Sequence, residues 1–256
     1  MDHKKFAIDI AKQAGQIIMA NFKLGMKKEW KEDTTPLTET DSAIDELFRK
    51  SVKKHFPLYG IISEENDNHL PNAEYTWICD PVDGTTPFSH GIPACTFMLA
   101  LVKNGQSILG VVYDPFLDRL YFAEKGKGAT LNNKPIKVSN NNVLNKSVIG
   151  IICWKDSGYD FAQIKKTLIS SDIHEINLLS VGYMDALVAA GELSAVIFAD
   201  QEPWDSAAPK IIVEEAGGKF TDLFGNEPKF NGKVKGHLAT NSVLYEKLLK
   251  IIKESL

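Results

Sequence analysis

Two aspartates stand three residues apart at the end of an apolar segment, in the stretch Trp77-Ile78-Cys79-Asp80-Pro81-Val82-Asp83-Gly84-Thr85-Thr86. Pro81 fixes the backbone φ angle here, and Gly84 permits a tight turn with exposed backbone amides. A rigid turn with carboxylates on one side suits hard divalent cations, which prefer oxygen ligands, and free N–H groups at the following turn suit a phosphate. Taken alone, the same residues also fit an ordinary turn after a strand.

Three further segments place acidic residues at the ends of predicted elements. Glu64 and Glu65 follow an apolar pair, although paired glutamates are usually solvated surface residues. Asp205 follows a tryptophan and opens a predicted helix, where an aspartate commonly serves as the N-cap. Thr38 and Asp41 have the spacing of a capping box for another helix. Each segment alone is explained by local structure without a catalytic role.

The periodicity of the apolar residues predicts the elements that carry these segments. Helical spacing predicts helices over residues 4–22, 41–54, 161–169, 182–190, 206–216 and 243–252. Short apolar or β-branched runs predict strands over residues 77–79, 96–102, 108–113, 120–123, 148–153, 173–176 and 195–199. The strands before residue 130 form a largely antiparallel meander, and Gly217-Gly218 predicts a helix C-cap. Helices that flank sheets in both halves indicate a layered α/β or α+β fold.

Composition excludes several classes of protein. Hydrophobic residues make up 44% of the 256 residues and charged residues 24%, which argues against disordered and fibrous chains. The net charge of −4 and the lack of a basic cluster argue against a nucleic-acid partner. Cys79, Cys95 and Cys153 form no C-x-x-C pair, so the sequence predicts neither disulfides nor structural zinc and favours a reducing, cytoplasmic location. No apolar run approaches about 18 residues, so no membrane span is expected.

Together, the acidic segments resemble the inositol monophosphatase family of lithium-sensitive, magnesium-dependent phosphatases. The family signatures D-P-[IV]-D-G-T, W-D-x-A-A and E-A-G-G correspond to residues 80–85, 204–208 and 215–218. The G-E-E signature is matched less well, because Ser63 stands before Glu64 and Glu65, whereas T-E-T-D at residues 38–41 and the pattern over residues 126–139 have counterparts. The likeness runs from about residue 4 to about residue 245. It implies the five-layered α/β/α/β/α sandwich of the inositol monophosphatase and fructose-1,6-bisphosphatase type.

The resemblance also implies an activity and a set of metal ligands. The reaction would be hydrolysis of a small phosphate monoester by a metal-activated water, with two or three Mg²⁺ ions and no covalent phosphoenzyme. Asp80 would bridge two ions. Glu64 and the Val82 carbonyl would complete the first metal site, and Asp83 and Asp205 would complete the second.

Other roles follow from the same resemblance. Backbone N–H groups of Gly84 and Thr85 would hold phosphate oxygens, and Asp205 would also contact the substrate. Glu64 and Thr85 would orient the attacking water, with Asp41 supporting Thr85. Residues 1–256 would form a single domain, with a metal- and phosphate-binding lobe over about 1–140 and a second lobe over about 147–256 that completes the site. Family members are often dimers, so a homodimer is expected.

Three residues depart from the family pattern. Pro87 replaces the usual asparagine, but proline is tolerated in a first helical turn. Pro209 replaces a glycine, and its ring would crowd the carbonyl of Asp205, so the helix is expected to start differently. Phe198 occupies the position of a glutamate that binds sugar hydroxyls in inositol-specific members, which weakens the case for inositol.

Several substrates and one non-catalytic role therefore stay open. An inositol-phosphate-like polyol is ranked first on family frequency alone, ahead of histidinol phosphate, a sugar bisphosphate and a 3′-phosphoadenosine nucleotide. A phosphate-binding regulator on the same fold is the alternative from another class, but it should have lost at least one ligand. His90 lies near the predicted site and either contacts substrate or has a surface role.

Overall fold

The computed structural model describes residues 1–30, 36–66, 69–70, 73–155 and 157–256. The described helices are α1 (His3–Asn21), α2 (Glu39–His55), α3 (Thr85–Ser89), α4 (Ala162–Ile169), α5 (Val181–Ala189), α6 (Ala207–Glu215) and α7 (Tyr245–Ser255). A 3₁₀ turn over Pro203–Asp205 precedes α6. None of the described helices is both long enough and apolar enough to cross a membrane.

The strands of the described residues form three sheets. A two-stranded sheet pairs β1 (Glu29–Trp30) with β2 (Pro36–Leu37). A seven-stranded sheet runs in the order β3 (Gly60–Ser63), β4 (Tyr75–Asp83), β5 (Thr96–Lys103), β6 (Gln106–Asp114), β7 (Arg119–Glu124), β8 (Ala129–Leu131), β9 (Lys134–Pro135). A five-stranded sheet has the order β11-β10-β12-β14-β13, built from β10 (Val148–Ile152), β11 (His174–Ile176), β12 (Ala195–Phe198), β13 (Lys219–Thr221) and β14 (His237–Thr240).

Alternating side chains of the seven-stranded sheet face two different helical layers. Phe97, Leu99 and Leu101 of β5 pack with α1 and α2 on one face. Met98 and Ala100 lie between them in the strand and pack with α5 and α6 on the other face. Because successive strand residues point to opposite faces, a strand buried on both faces reads as one continuous apolar run.

The five-stranded sheet completes the stack of layers. One face packs on α5 and α6, and the other packs on α4 and α7 through residues such as Ile151, Ile197 and Leu238. The order is therefore helices, sheet, helices, sheet, helices, which confirms the predicted α/β/α/β/α sandwich.

The sequence analysis located most elements but missed several short strands. The meander from β4 to β9 is antiparallel, as predicted, and only β3 pairs with β4 in parallel. Strands β13 and β14 were not predicted, although β14 lies between β12 and β13 within its sheet. His237 and Thr240 interrupt the apolar pattern of β14, and their side chains are buried by the layers around them.

The predicted C-cap at Gly217-Gly218 is confirmed. The Gly217 N–H bonds the Glu214 carbonyl and the Gly218 N–H bonds the Val213 carbonyl, each at 2.9 Å. Gly217 has φ +89°, a conformation that glycine adopts without a steric penalty. These bonds form the Schellman arrangement that ends α6.

Candidate active site

A cavity of about 360 Å³ opens where the seven-stranded and five-stranded sheets approach each other. Its lining from the first half of the chain includes Glu64, Asp80, Val82, Asp83, Gly84, Thr85 and Thr86. Its lining from the second half includes Ile152, Trp154, Leu179, Val181, Phe198, Asp200, Glu202, Trp204 and Asp205. Within the described part of the chain, no lysine, arginine or histidine lines this cavity.

Asp80, Asp83 and Asp205 form a compact carboxylate cluster in the cavity. One oxygen from each lies within 4.8 Å of the others. In a regular strand, Asp80 and Asp83 would point to opposite faces because they are three residues apart. Pairing with β5 instead shifts between them, so that Asp80 lies opposite Met98 and Asp83 opposite Thr96. This β-bulge adds one residue to β4 and directs both carboxylates into the cavity.

Asp83 is held by hydrogen bonds from both halves of the chain. Its Oδ2 accepts from the Thr96 hydroxyl at 2.8 Å, the Ser180 hydroxyl at 2.6 Å and the Gly182 N–H at 3.0 Å. Its Oδ1 accepts from the Val181 N–H at 2.8 Å. A carboxylate at the N-terminus of α5 is favoured by the helix dipole and the unpaired amides there.

Burial raises the pKa of each carboxyl group in the cluster, and neighbouring carboxylates raise it further for Asp80 and Asp205. Burial raises the pKa of Asp80 well above its usual value, and the charge of Glu64 raises it further. Burial raises the pKa of Asp83 to about 6, while bonds from Ser180 and Thr96 limit the rise. Burial also raises the pKa of Asp205 well above its usual value, followed by the charge of Asp200. A bound cation would remove this penalty, because buried carboxylates are stabilised by pairing or by coordinating a metal.

Glu64 lies directly after β3 and lines the cavity, but it does not belong to the compact cluster. Its backbone N–H bonds the Cys79 carbonyl at 3.4 Å, which places it beside the start of the Asp80 turn. The preceding Ser63 donates a 2.5 Å hydrogen bond to the buried Asp45. Glu65 lines a neighbouring cavity instead.

Asp41 makes two kinds of contact, one that caps α2 and one with Thr85. The capping box is present, because the Thr38 N–H donates to Asp41 Oδ2 at 2.9 Å and the Asp41 N–H donates to the Thr38 hydroxyl oxygen. The Thr40 N–H donates to the same hydroxyl oxygen at 3.2 Å. The other oxygen, Oδ1, lies 3.3 Å from the Thr85 hydroxyl. That hydroxyl also lies 2.9 Å from the Val82 carbonyl. Asp41 therefore both caps α2 and contacts a cavity residue.

Gly84 is required by the backbone at the start of α3. Its φ is +87°, and a Cβ there would lie 2.8 Å from the Ala94 carbonyl oxygen and 2.9 Å from Ser180 Cβ. The helix begins at Thr85 with Pro87 in its first turn, so the expected tolerance of this proline is confirmed.

Asp205 is not a helix N-cap, and that interpretation was wrong. It ends the 3₁₀ turn, and Ser206 stands at the N-cap position of α6. Pro209 is the third residue of α6, where its missing N–H leaves no bond unmade. The helix α6 therefore starts after Asp205, and an altered start relative to the family stays a prediction.

One part of the cavity wall, from the second half of the chain, carries aromatic side chains. Phe198 is buried at the end of β12, and its ring centre lies 6.0 Å from that of Trp154. Asp200 also lines this wall, and Glu202 pairs with Lys233 at 3.1 Å. Trp154 was not anticipated, because it comes from a strand end that meets the others only in three dimensions.

The remaining sequence-predicted candidates lie outside the cavity. His90 does not line it; the His90 ring lies 2.8 Å from the Thr86 carbonyl and 2.9 Å from Lys28 Nζ. Cys79 and Cys95 are buried, and burial raises the pKa of both thiols, so they are poor nucleophiles. Ser180 was missed, although a serine before a helical run is a common helix-start signal.

The chain matches known proteins over its full length. A model of the inositol monophosphatase family matches residues 2–256. The chain is 36% identical to inositol monophosphatase 1 of Solanum lycopersicum, over 97% of this chain and 94% of that one. It is 32% identical to a histidinol-phosphatase of Chlorobaculum parvum, over 97% and 95% of the two chains. A solved IMPase of Thermotoga maritima has 30% identity and a TM-score of 0.90, covering 100% of this chain and 98% of that one.

Proposed function

Since this chain belongs to the inositol monophosphatase family of phosphatases, we propose that it hydrolyses a small phosphate monoester with water as nucleophile and Mg²⁺ as cofactor. The observation that carries this proposal is the compact cluster of Asp80, Asp83 and Asp205 in a cavity lined by no described basic residue. A phosphate dianion cannot approach such a cavity unless cations compensate the carboxylates first. Membership of the family also makes the chain a hydrolase, which disfavours a purely regulatory role.

The residues present fit divalent cations with oxygen ligands. The Asp80 carboxylate would help to hold an ion at each of two sites, with Glu64 and the Val82 carbonyl completing one site. Asp83 and Asp205 would complete the other. Asp83 Oδ1 accepts one hydrogen bond, from the Val181 N–H, and an ionised carboxylate oxygen can accept more than one. Paired ions roughly 3.5–4 Å apart are typical of such phosphatases.

Each residue of the β4–α3 turn has a role in this proposal. Bound Mg²⁺ would neutralise the phosphate and lower the pKa of a water molecule. The Gly84 and Thr85 amides would hold phosphate oxygens at the start of α3. The Thr85 hydroxyl lies within reach of Asp41 and could accept a hydrogen bond from the attacking water while donating to that carboxylate. Glu64, which follows the neighbouring strand β3, would orient the same water. Asp205 would also contact the substrate.

The cavity wall constrains the alcohol half of the ester. Trp154 and Phe198 offer flat apolar surfaces, whereas Asp200 and Glu202 offer negative charge. A second phosphate would lie against these acids with no described cation among the lining residues, so a monophosphate fits better than a bisphosphate or 3′-phosphoadenosine nucleotide. Relatives named as an inositol monophosphatase and a histidinol-phosphatase keep both a polyol and an amino alcohol as candidates.

Three properties stay predictions from the sequence and the family. They are the cytoplasmic location, the homodimer, and the division into lobes over about 1–140 and about 147–256.

The proposal is tested by phosphate release from metal-stripped protein. Chelator-treated chain is assayed against a panel of monoesters, including inositol, histidinol and sugar phosphates, without metal, with Mg²⁺ and with Ca²⁺. We expect release only when Mg²⁺ is restored. Release that persists in excess chelator, or no release from any ester with Mg²⁺, would contradict the proposal.

A further inference from the structure

A buried chain of polar side chains lies behind the carboxylate cluster. It consists of Asp185 on α5, His237 on β14 and Ser206 before α6, each fully inaccessible to solvent. His237 Nε2 lies 3.0 Å from Asp185 Oδ2, and His237 Nδ1 lies 2.8 Å from Ser206 Oγ. None of the three lines the cavity, so they do not touch the substrate directly.

We call Asp185, His237 and Ser206 the buried triad. Its burial among apolar side chains costs free energy of folding. The His237 ring is flanked by Phe220 and Phe198, with ring centres 4.5 and 5.1 Å away. Among the described residues, neither Asp185 oxygen has a well-aligned hydrogen bond, and burial raises the pKa of this carboxyl above its usual value. Apolar residues of similar size often stabilise a core as well as a buried pair of polar or charged groups does. The triad is therefore not explained by stability alone.

The contacts of the triad connect the two halves of the proposed second metal site. Asp83 bonds the Val181 and Gly182 amides at the first turn of α5, and Asp185 follows one turn later. At the other end, Ser206 is the residue directly after Asp205. A continuous path of contacts thus runs from Asp83 through α5 and His237 to the turn that carries Asp205. Asp83 comes from the seven-stranded sheet, so this path spans the two main sheets.

We propose that Asp185, His237 and Ser206 are positioning residues that fix the separation of Asp83 and Asp205, and thereby set divalent-cation affinity at the second site. This inference rests on the proposed function. A metal site keeps its affinity only when its ligands are held by supporting contacts, and disturbing such contacts typically weakens metal binding by about 10–100-fold. Here the supporting contacts reach the ligands through the backbone of α5 and through the Asp205-Ser206 peptide.

Mn²⁺ binding to the metal-stripped full chain tests the inference directly. Isothermal titration with Mn²⁺ is compared for wild type, Ser206→Ala and Asp185→Asn. We expect one of the Mn²⁺ sites to lose affinity about tenfold in each variant, with the other site nearly unchanged. In activity assays, the metal concentration for half-maximal rate should rise by a similar factor, while kcat at saturating metal stays close to wild type.

Tyr245→Phe is the matched control, because it also removes a buried hydrogen bond, between the Tyr245 hydroxyl and Thr221 Oγ1 at 3.2 Å, away from the cavity. It should lower thermal stability without changing Mn²⁺ affinity. Equal loss of affinity in Tyr245→Phe, or Mn²⁺ affinity within twofold of wild type in Ser206→Ala, would overturn the inference. The Mn²⁺ affinity of Ser206→Ala tests the inference even if Asp185→Asn does not fold. Failure of the wild-type chain to bind Mn²⁺ would instead overturn the proposed function and this inference together.

Discussion

The two sides of the cavity are built in different ways. On the first side, Asp80, Asp83 and Thr85 lie on a long buried strand and the helix that follows it, and hydrogen bonds restrain Asp83 and Thr85. On the second side, Phe198 ends a four-residue strand, and Asp205 lies in a 3₁₀ turn. The first side resembles a prearranged catalytic template, whereas the second side has shorter elements and carries two of the three departures from the family pattern, Phe198 and Pro209. We infer that chemistry depends mainly on the first side and substrate choice on the second.

Loss of the Asp83 charge should have the largest effect on activity. Asp83→Asn keeps the size of the side chain but removes one ligand charge, so we expect kcat to fall on the order of a thousandfold. Steady-state phosphate release with Mg²⁺ measures this, and circular dichroism checks that the fold is kept. Asp172→Asn, an exposed aspartate outside the cavity, should have wild-type activity. Unchanged turnover in Asp83→Asn would remove the first side from the mechanism.

Removal of the Thr85 hydroxyl should have the next largest effect. Thr85→Val keeps the shape of the side chain but abolishes the contacts with Asp41 and the Val82 carbonyl. We expect kcat to fall about a hundredfold, because a group that positions or accepts a proton is lost. Thr85→Ser restores the hydroxyl and should recover most of the rate. If Thr85→Ser is as slow as Thr85→Val, packing by the methyl group matters more than the hydroxyl.

Stability of the metal-free chain should depend on pH through the cluster. Because burial raises the pKa of Asp83 to about 6, the folded state holds this proton more tightly than the unfolded state. Its stabilising contribution is fully present below the unfolded pKa of about 3.9 and is lost as pH rises through about 6. The full loss is about 3 kcal/mol, and roughly half of it, or about 3–6 °C in Tm, falls between pH 5 and pH 7.5.

Thermal unfolding with chelator and with Mg²⁺, between pH 5 and pH 7.5, measures this effect. The metal-free Tm should fall with rising pH, whereas Mg²⁺ should restore it most strongly at the higher pH. Asp83→Asn cannot ionise at this position and should show a shallower pH dependence without metal. A metal-free Tm that rises across this window would contradict the pKa direction.

The sequence could predict the parts of the site that local signals determine, but not the contacts between distant parts of the chain. Asp80 to Thr85 could be placed on one turn because proline, glycine and strand-end signals are local. The α1 and α2 layers followed from helical periodicity. The bonds between Asp83 and the start of α5 could not be predicted, since Ser180 lies 97 residues away in the chain. For the same reason the Asp185–His237–Ser206 triad was missed, and the 3₁₀ turn at Asp205 was mistaken for a helix start.

The smallest expected effect, and the sharpest test of the second side, is on substrate affinity. Trp154 is 38% exposed at the cavity wall, so truncation to alanine should remove contact area from the alcohol half of the ester without disturbing the core. We expect KM to rise about fivefold to tenfold with kcat nearly unchanged, the pattern of an interaction made equally in ground state and transition state. Leu58→Ala, which truncates an exposed apolar side chain outside the cavity, is the control and should change neither constant. A fall in kcat with constant KM in Trp154→Ala would show that the aromatic wall takes part in the chemical step, and the division between the two sides would then fail.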